Sequence, residues 1–274
     1  MFLLNDCFRT PEQHLAHDEG LLDTVENLCS AEVPAEWTGT GSMDTGLEAL
    51  RFWQFCSPVV VLGRSSRISE EVNIENCTLD CIPVLRRSSG GASIVAGPGC
   101  LMYTVLVDYR IRPAWRMLDV AHQSVMERLA RATQKTLETF GVQKKVEWQG
   151  TCDLTIEGKK FSGNALRCRR NFMIYHGTIL LQMPLMHIAR YLLQPPRQPE
   201  YRDNRDHLSF VCNLLPDDFS DTQAFQRQLI DSLAVEWQAD KTWDQFPHRE
   251  LWLEQSEELL HRKYLSPNWH RERL

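Results

Sequence analysis

Three short β-rich runs occupy the stretch PVLRRSSGGASIVAGPGCLMYTVLV, which spans residues 83–107. They cover residues 83–86, 93–96 and 101–107, and glycine, proline and serine, which favour turns, separate them. A second block of four such runs follows at residues 143–148, 154–156, 160–167 and 172–181. Apolar and β-branched residues bounded by turn formers predict strands in both blocks.

Helices are predicted on either side of these strands. Apolar residues recur at helical spacing over residues 11–29, 114–140, 221–237 and 249–264. Two further strands are predicted at residues 50–55 and 59–62, and loops at residues 32–48 and 194–208. The pattern therefore predicts an α+β fold in which helices pack on a central sheet.

The composition excludes several classes of protein. The chain has 274 residues, 43% hydrophobic residues and a formal net charge of −6, so it carries no basic excess for a nucleic acid partner. Its longest strongly apolar runs, such as residues 58–62, are about five residues long, whereas a membrane span needs about twenty. Residues 1–10 hold no cationic leader followed by a long apolar region. We therefore expect no membrane partner and a cytoplasmic location.

The nine cysteines do not form a recognisable framework. Their number is odd and no CxxC pair occurs, which is unlike a disulfide scaffold or a zinc ribbon. We expect most of the thiols to be reduced and buried. Only Cys152, and after it Cys100 and Cys212, lie near the motifs described next.

The first motif is Arg86-Arg87-Ser88-Ser89-Gly90-Gly91-Ala92. A paired guanidinium group can hold an anion in bidentate fashion, and a glycine-rich turn leaves backbone N–H groups free to bind a carboxylate or phosphate. Taken alone, the same residues also suit an ordinary tight turn with solvated arginines.

The second motif is Gly158-Lys159-Lys160-Phe161-Ser162-Gly163-Asn164-Ala165. Neighbouring residues of a strand face opposite ways, so Lys159 and Lys160 cannot both line one pocket. The regular alternation predicts that Lys160, Ser162 and Asn164 share the pocket face. His176 follows in a later strand, and Gly177 beside it would let a ligand or backbone approach closely.

In order and spacing, these motifs resemble the lipoate-protein ligase A / octanoyltransferase family, which shares a superfamily with biotin-protein ligase. The resemblance also rests on Gly63-Arg64, Asp153-Leu154 and Tyr175-His176-Gly177-Thr178, and it runs from about residue 15 to about residue 260. It implies a mixed, mainly antiparallel central sheet flanked by helices, like the catalytic cores of class II aminoacyl-tRNA synthetases. It also implies one catalytic domain over residues 1–274, with a core at about 12–240 and no accessory C-terminal domain.

The resemblance implies the site residues as well. Lys160 matches the family lysine that contacts the acyl carbonyl and the phosphate, Arg87 resembles its phosphate-side partner, and residues 92–95 resemble the nucleotide-side strand. Lys160 is thus the predicted catalytic residue, and no metal ligands are predicted. The predicted binding set for a lipoyl- or octanoyl-adenylate is Arg87, Ser89, Gly90, Gly91, Ala92, Ser93, Ile94, Val95, Asp153, Ser162, Gly163, Asn164, His176 and Gly177.

Three positions depart from the family pattern. Ala92 replaces a third glycine, Ala96 replaces a histidine, and Cys152-Asp153 replaces the usual Asn-Asp pair. Cys152 is therefore also a possible nucleophile, although it matches neither cysteine position of the transferase relatives.

Three functions remain open from the sequence. The first is ligation, in which lipoate or octanoate and Mg-ATP form an acyl-AMP that acylates a lysine on a carrier. The expected carriers are the lipoyl domains of 2-oxoacid dehydrogenase complexes or the glycine cleavage H protein. The second is ATP-independent transfer from a carrier such as acyl carrier protein, through a cysteine thioester. The third is a catalytically inactive lipoate-binding protein.

Overall fold

The computed structural model describes residues 1–5, 10–30 and 46–273. Most of the predicted loop at 32–48 lies outside these residues. The strands are β1 Phe2–Asn5, β2 Ala49–Trp53, β3 Val59–Leu62, β4 Val84–Arg86, β5 Ile94–Ala96, β6 Cys100–Asp108, β7 Glu147–Gln149, β8 Asp153–Ile156, β9 Lys159–Cys168, β10 Phe172–Leu180 and β11 Lys241–Thr242. The helices are α1 Pro11–Ser30, α2 Ile68–Glu71, α3 Ile74–Leu79, α4 Leu118–Thr139, α5 Met186–Tyr191, α6 His207–Phe210, α7 Thr222–Trp237, α8 Arg249–Leu259 and α9 Pro267–His270.

Eight strands form the central sheet, in the order β11-β1-β2-β6-β10-β9-β8-β7. β1 runs parallel to both β2 and β11, and the other neighbours are antiparallel. A small second sheet, β4-β3-β5, carries the first motif on its edge. The predicted class, a mainly antiparallel sheet flanked by helices, is confirmed.

Helices cover both faces of the central sheet. On one face α4 and α7 pack over β6, β9 and β10, with Leu129 and Phe225 in the core. On the other face α1 and α8 pack together, with Leu22 and Trp252 fully buried between them and the sheet. Because both faces are covered, every residue of β10 is buried, which explains why this strand reads as an almost continuous apolar run.

The long helix α4 follows its predicted stripe, with Val125, Leu129 and Ala132 buried. It begins at Leu118 and not at residue 114, because residues 113–116 form a separate 3₁₀ turn that buries Trp115. Gly141 follows the helix with a φ of 69°, as its position predicted.

The predicted strand at residues 143–148 is largely wrong, because only Glu147–Gln149 pairs with β8. The backbone before it is bonded to a side chain of α4 instead. The Gln134 amide donates to the Lys144 carbonyl and accepts from Val146 N at 2.9 Å. These bonds replace the ladder bonds that a longer strand would make.

The predicted loop at 194–208 is mostly irregular, but it contains a 3₁₀ turn at Glu200–Arg202 and the start of α6. The short strands β1 and β11 and the short helices α2, α3 and α5 were not predicted. Among the described residues, no helix is long and apolar enough to cross a membrane.

Candidate active site

One pocket lies between three parts of the protein: the face of the central sheet that α1 covers, the loop that follows β4, and the segment from α5 to α6. The cross-strand register sets its floor. Thr104, His176 and Ala165 form one row across β6, β10 and β9, and Met102, Thr178 and Gly163 form the next. All six side chains or glycine positions therefore face the pocket side.

Most of the predicted site residues meet at this pocket. Arg87, Gly91, Ala92, Ser93, Ile94, Val95, Lys160, Ser162, Gly163, Asn164, His176 and Gly177 border it. Ser89, Gly90, Asp153 and Cys152 do not border it, and they lie behind the residues that do.

Lys160 points into the pocket and Lys159 is exposed on the other side, as the alternation predicted. The Lys160 Nζ lies 2.8 Å from Asp153 Oδ1, so an ammonium group is held at one end of the pocket by a carboxylate. The second oxygen of Asp153 accepts a hydrogen bond from Tyr201 OH at 2.8 Å. Burial raises the pKa of Tyr201, which keeps the phenol protonated and able to donate.

The prediction that Lys160, Ser162 and Asn164 share one face is wrong. The register between β8 and β9 shifts after Leu154, so that Leu154 pairs with Ser162 whereas Thr155 pairs with Lys160. This β-bulge inserts one extra residue, Phe161, and reverses the alternation beyond it. Lys160 therefore shares the pocket face with Gly163, and Ser162 and Asn164 turn towards α4.

Asn164 illustrates the consequence. Its Oδ1 accepts a hydrogen bond from Tyr103 OH, and its Nδ2 donates to the Cys152 carbonyl at 2.7 Å. Tyr103 and Asn164 lie on the two strands that flank Gly177. A Cβ on Gly177 would collide with the Asn164 amide, so this glycine makes room for a side-chain bond within the protein and not for a ligand.

The first motif wraps around the Arg87 side chain. Its Nη2 donates to the carbonyls of Gly90 and Ala92, at 2.5 and 3.1 Å, and its Nη1 donates to Val61 O at 3.3 Å. Burial lowers the pKa of Arg87 to about 10, partly offset by the negative charge of Glu71. The Arg87 guanidinium thus holds the loop by its backbone carbonyls, and Arg87 also borders the pocket.

Arg86 has no part in the pocket. It is fully buried, and its guanidinium donates to the carbonyls of Gly63, Ser66 and His270. The doubled arginine is therefore not a two-pronged anion clamp: one arginine ties the C-terminal region to the motif, and the other supports the loop.

Glycines allow the loop to lie against β3. Gly91 has a φ of 87°, a conformation that favours glycine, and its carbonyl would collide with a Cβ on Gly63. Farther along, Ser93 N and Oγ both donate to Glu71 Oε2 at 2.7 Å, which ties the loop to α2.

A line of buried polar groups runs beneath the pocket wall. Ser89 Oγ accepts from Arg87 Nε at 3.0 Å and lies 2.6 Å from His176 Nε2. His176 Nδ1 lies 2.9 Å from Asp18 Oδ2, and Asp18 Oδ1 accepts from Arg51 Nη1 at 2.6 Å. Burial alone would raise the pKa of Asp18, but the hydrogen bond from His176 and the charge of Arg51 outweigh it and lower that pKa.

Asp18, Glu71 and two further groups of pocket residues were not predicted. The first is an apolar lining from distant parts of the chain, which comprises Leu15, Trp53, Val61, Met102, Leu180, Ile188, Leu192 and Phe210. The second is Arg202, which borders the pocket and is 5% exposed. Its Nη2 donates to Gln194 Oε1, and its guanidinium lies 4.7 Å above the Phe210 ring. The three arginines of the 194–208 loop were the only sequence signal for it.

The thiols near the site are poorly suited to nucleophilic attack. Burial, together with the charge of Asp153, raises the pKa of Cys152 to about 11. Burial raises the pKa of Cys100 to about 12 and also raises that of Cys212. A thiolate is the reactive form, and these environments disfavour it.

The donor set was also tested for a metal. Within residues 1–5, 10–30 and 46–273, no group of three or more histidine, cysteine, aspartate or glutamate side chains is placed to hold a metal ion. Asp153 is the carboxylate that faces Lys160, and its oxygens are engaged by Lys160 and Tyr201. The residues therefore do not fit a protein-held metal centre.

A mainly apolar pocket bordered by a lysine has the character of a site for a small molecule. The sequence model of the lipoyl protein ligase A/B catalytic domain matches residues 10–234. The chain belongs to this family.

The relatives share less than the whole chain. A protein of Mycoplasma pneumoniae named "Probable lipoate-protein ligase A" is 30% identical over 146 residues, which are 53% of this chain and 40% of that protein. A lipoate-protein ligase 1 of Staphylococcus aureus is 24% identical over 78% of this chain and 56% of its own length. The chain thus spans about half or less of the curated relatives that it matches.

Solved structures share the fold. The bipartite lipoate-protein ligase of Thermoplasma acidophilum, solved in a study of this ligase and its E2 lipoyl domain, superposes with a TM-score of 0.71 at 20% identity. The superposition covers 100% of this chain and 96% of that one. At this identity the likeness shows the fold and nothing finer.

Proposed function

We propose that this chain is a lipoate-protein ligase, which activates lipoate or octanoate with ATP and attaches the acyl group to a carrier lysine. The observation that carries the proposal is that Lys160, paired with Asp153, borders a pocket that is lined mainly by apolar side chains. Such a pocket suits a molecule with an apolar chain and one anionic end.

The first step forms the acyl-adenylate. A carboxylate oxygen of the acid attacks the α-phosphorus of ATP, the bond to the bridging oxygen breaks, and pyrophosphate leaves with Mg²⁺, which enters with ATP as part of the substrate. Lys160 and Arg202 both border the pocket, where they would offset the negative charge that develops on the phosphorus-bound oxygens.

The second step transfers the acyl group. The uncharged ε-amine of a carrier lysine attacks the acyl carbonyl, an amide bond forms, AMP leaves with the electrons of the broken carbon–oxygen bond, and one amine proton is released to solvent. Lys160 would hydrogen-bond the carbonyl oxygen as it becomes negative, because Asp153 keeps its ammonium group at the pocket.

Ligation is favoured over thioester transfer by the cysteines. A transferase of that kind needs a thiol with a lowered pKa, and the pKa of each of Cys100, Cys152 and Cys212 is raised. Nothing in the site favours the transfer route or an inactive binding protein.

The wider setting belongs to the same proposal. We expect a lipoyl domain as the acceptor, since the Thermoplasma ligase was studied with its E2 lipoyl domain. The choice between 2-oxoacid dehydrogenase complexes and the glycine cleavage H protein, any contact with acyl carrier protein, the single catalytic domain over residues 1–274 and the cytoplasmic location remain predictions.

The test is incubation with octanoate, Mg-ATP and a lipoyl domain, followed by intact-mass measurement of both proteins. We expect the lipoyl domain to gain one octanoyl group only when ATP is present, with no octanoyl group left on the enzyme. Acylation of the domain from octanoyl-acyl carrier protein without ATP would contradict the proposal. Binding of octanoate without any acylation under either condition would favour the binding protein.

A further inference from the structure

Asp18 makes no contact expected of a catalytic group, yet it lies at the centre of the buried chain Arg51–Asp18–His176–Ser89–Arg87. We infer that Asp18 is a positioning residue, which holds His176 as the tautomer with its proton on Nδ1. Through His176 and Ser89 it fixes Arg87 and the loop that borders the pocket. The inference rests on the proposed function for what the loop binds.

The proton positions follow from the partners at each end. The Asp18 carboxylate can only accept, and its oxygens face Arg51 Nη1, Thr104 Oγ1 and His176 Nδ1. His176 Nδ1 must therefore carry a proton. At the other end, Arg87 Nε can only donate, so it occupies one lone pair of Ser89 Oγ. The Ser89 hydroxyl proton is then free to point to His176 Nε2, at 2.6 Å.

Burial isolates this series of hydrogen bonds from water. Asp18 and His176 are both more than nine-tenths buried, and Arg51 and Arg87 lie at its two ends. Glu71 acts on Arg87 from α2.

Arg87, the last residue of this hydrogen-bonded series, holds the loop in place. Ser89 Oγ fixes Arg87 Nε, and the same guanidinium holds the carbonyls of Gly90 and Ala92. If Ser89 lost its acceptor on His176, its hydroxyl would turn and the contact with Arg87 would weaken. The loop that borders the pocket would then lose its preorganised form.

The variant Asp18→Asn should reverse the tautomer. An amide offers one oxygen and one NH₂ group, and the positive charge of Arg51 would take the oxygen. The NH₂ group would then face His176 Nδ1, which must become the acceptor, so the ring proton moves to Nε2. Ser89 Oγ would receive two donors, and its own proton would lose its partner.

The experiment combines ring ¹⁵N NMR of histidine with calorimetry. In the wild-type chain we expect the proton of His176 on Nδ1, and in Asp18→Asn on Nε2. Octanoate affinity should fall by about tenfold or more in the variant, the size expected for a broken buried hydrogen bond.

Glu19→Gln is the matched control. Glu19 is the next residue of α1 and is also buried, and its replacement by glutamine removes the same charge. Its carboxylate accepts from Arg167, Lys263 and Tyr264, which are not part of the hydrogen-bonded series from Arg51 to Arg87. It should leave the His176 tautomer and octanoate affinity unchanged.

A wild-type His176 with its proton on Nε2 would overturn the inference, and this measurement requires no variant to fold. An Asp18→Asn protein with the wild-type tautomer and unchanged octanoate affinity would overturn it as well. If the wild-type chain bound no octanoate, the proposed function would fail, whereas the tautomer measurement would still decide on Asp18.

Discussion

The side chain of Lys160 lies directly over the backbone of Gly163. A Cβ built on Gly163 would come within 2.5 Å of Lys160 Nζ and would approach Asp153 Oδ1 at 3.6 Å. The bulge at Phe161 brings the two residues onto the same face, and the missing side chain leaves the space that the ammonium group occupies. The position of the proposed catalytic group thus depends on a glycine three residues away.

Gly163→Ala should displace Lys160 from the pocket without disrupting the strand. Gly163 does not have a positive φ, so alanine suits its backbone, and the methyl group must push the lysine end aside. We expect kcat/KM for octanoylation to fall by about tenfold or more, the equivalent of about 1.4 kcal/mol. Steady-state kinetics would measure the loss of activity, and urea unfolding would show whether the free energy of unfolding has changed.

A double-mutant cycle is the control for this prediction. If the added methyl group acts by moving Lys160, it should have almost no further effect in a chain that already carries Lys160→Ala. Equal losses in both backgrounds would show that Gly163 matters for another reason.

Lys160→Ala should abolish ligation and leave the fold intact. The Lys160 side chain is 28% exposed, and Tyr201 still donates to the buried Asp153 carboxylate when the lysine is removed, so the chain should remain folded. Retention of more than about a tenth of the wild-type rate, a barrier change under about 1.4 kcal/mol, would refute the catalytic role.

Lys159→Ala is the matched control for Lys160→Ala. It removes the same charge from the adjacent residue, which is exposed on the far side of β9. We expect an almost unchanged rate. A loss as large as that of Lys160→Ala would indicate a general charge effect on the acceptor and not a role inside the pocket.

Local patterns predicted most of the longer strands and the opposite directions of Lys159 and Lys160. Both depend on near neighbours: alternation along the chain separates Lys159 from Lys160, and turn formers mark the strand ends. The same rule failed for Ser162 and Asn164, because one extra residue in β9 reverses the alternation. A bulge is set by the pairing of two strands, and no residue type in the motif announces it.

The rest of the site comes from long-range packing. Asp18 and Trp53 reach the pocket from α1 and β2, far from either motif in sequence, and Arg51 of β2 is bonded to Asp18. Their roles follow from strand order and helix packing, which the sequence pattern of these residues does not encode. Arg87 shows the opposite error: its chemistry suits an anion clamp, but its guanidinium donates to Ser89 Oγ and to the carbonyls of Val61, Gly90 and Ala92.

His17 should make the unfolding free energy depend on pH. Burial, reinforced by the charge of Arg51, lowers the pKa of His17 to about 3. In the unfolded chain a histidine takes up a proton at about pH 6.5, whereas the folded chain does not. The contribution of His17 to the free energy of unfolding is therefore fully present above about pH 6.5. It decreases as the pH drops towards 3, by up to about 1.4 kcal/mol per pH unit.

His17→Gln tests the assignment, because glutamine carries no titrating proton. Urea unfolding at several values between about pH 6.5 and 4 should show a shallower decline than in the wild-type chain. His122, His207 and His270 also have lowered pKa values, so a residual slope is expected in the variant. An unchanged slope would mean that His17 is protonated in the folded chain.

Cys152→Ser separates ligation from thioester transfer. The thiol donates to the Asn164 carbonyl at 3.2 Å, and its raised pKa, about 11, keeps it protonated near neutral pH. Serine can make the same hydrogen bond, so the variant should keep most of the ATP-dependent activity and the wild-type fold. Kinetics with octanoate, Mg-ATP and a lipoyl domain would measure this.

Intact-mass measurement supplies the opposing outcome. Wild-type enzyme incubated with octanoyl-acyl carrier protein and no ATP should show no octanoyl adduct. An adduct that is labile to hydroxylamine, present on the wild type and absent from Cys152→Ser, would establish a thioester intermediate. It would also require that binding of the acyl carrier lower the thiol pKa by several units from about 11, because attack proceeds through the thiolate. The buried position of Cys152 next to the Asp153 carboxylate opposes such a shift, and we therefore expect the ATP-dependent route alone.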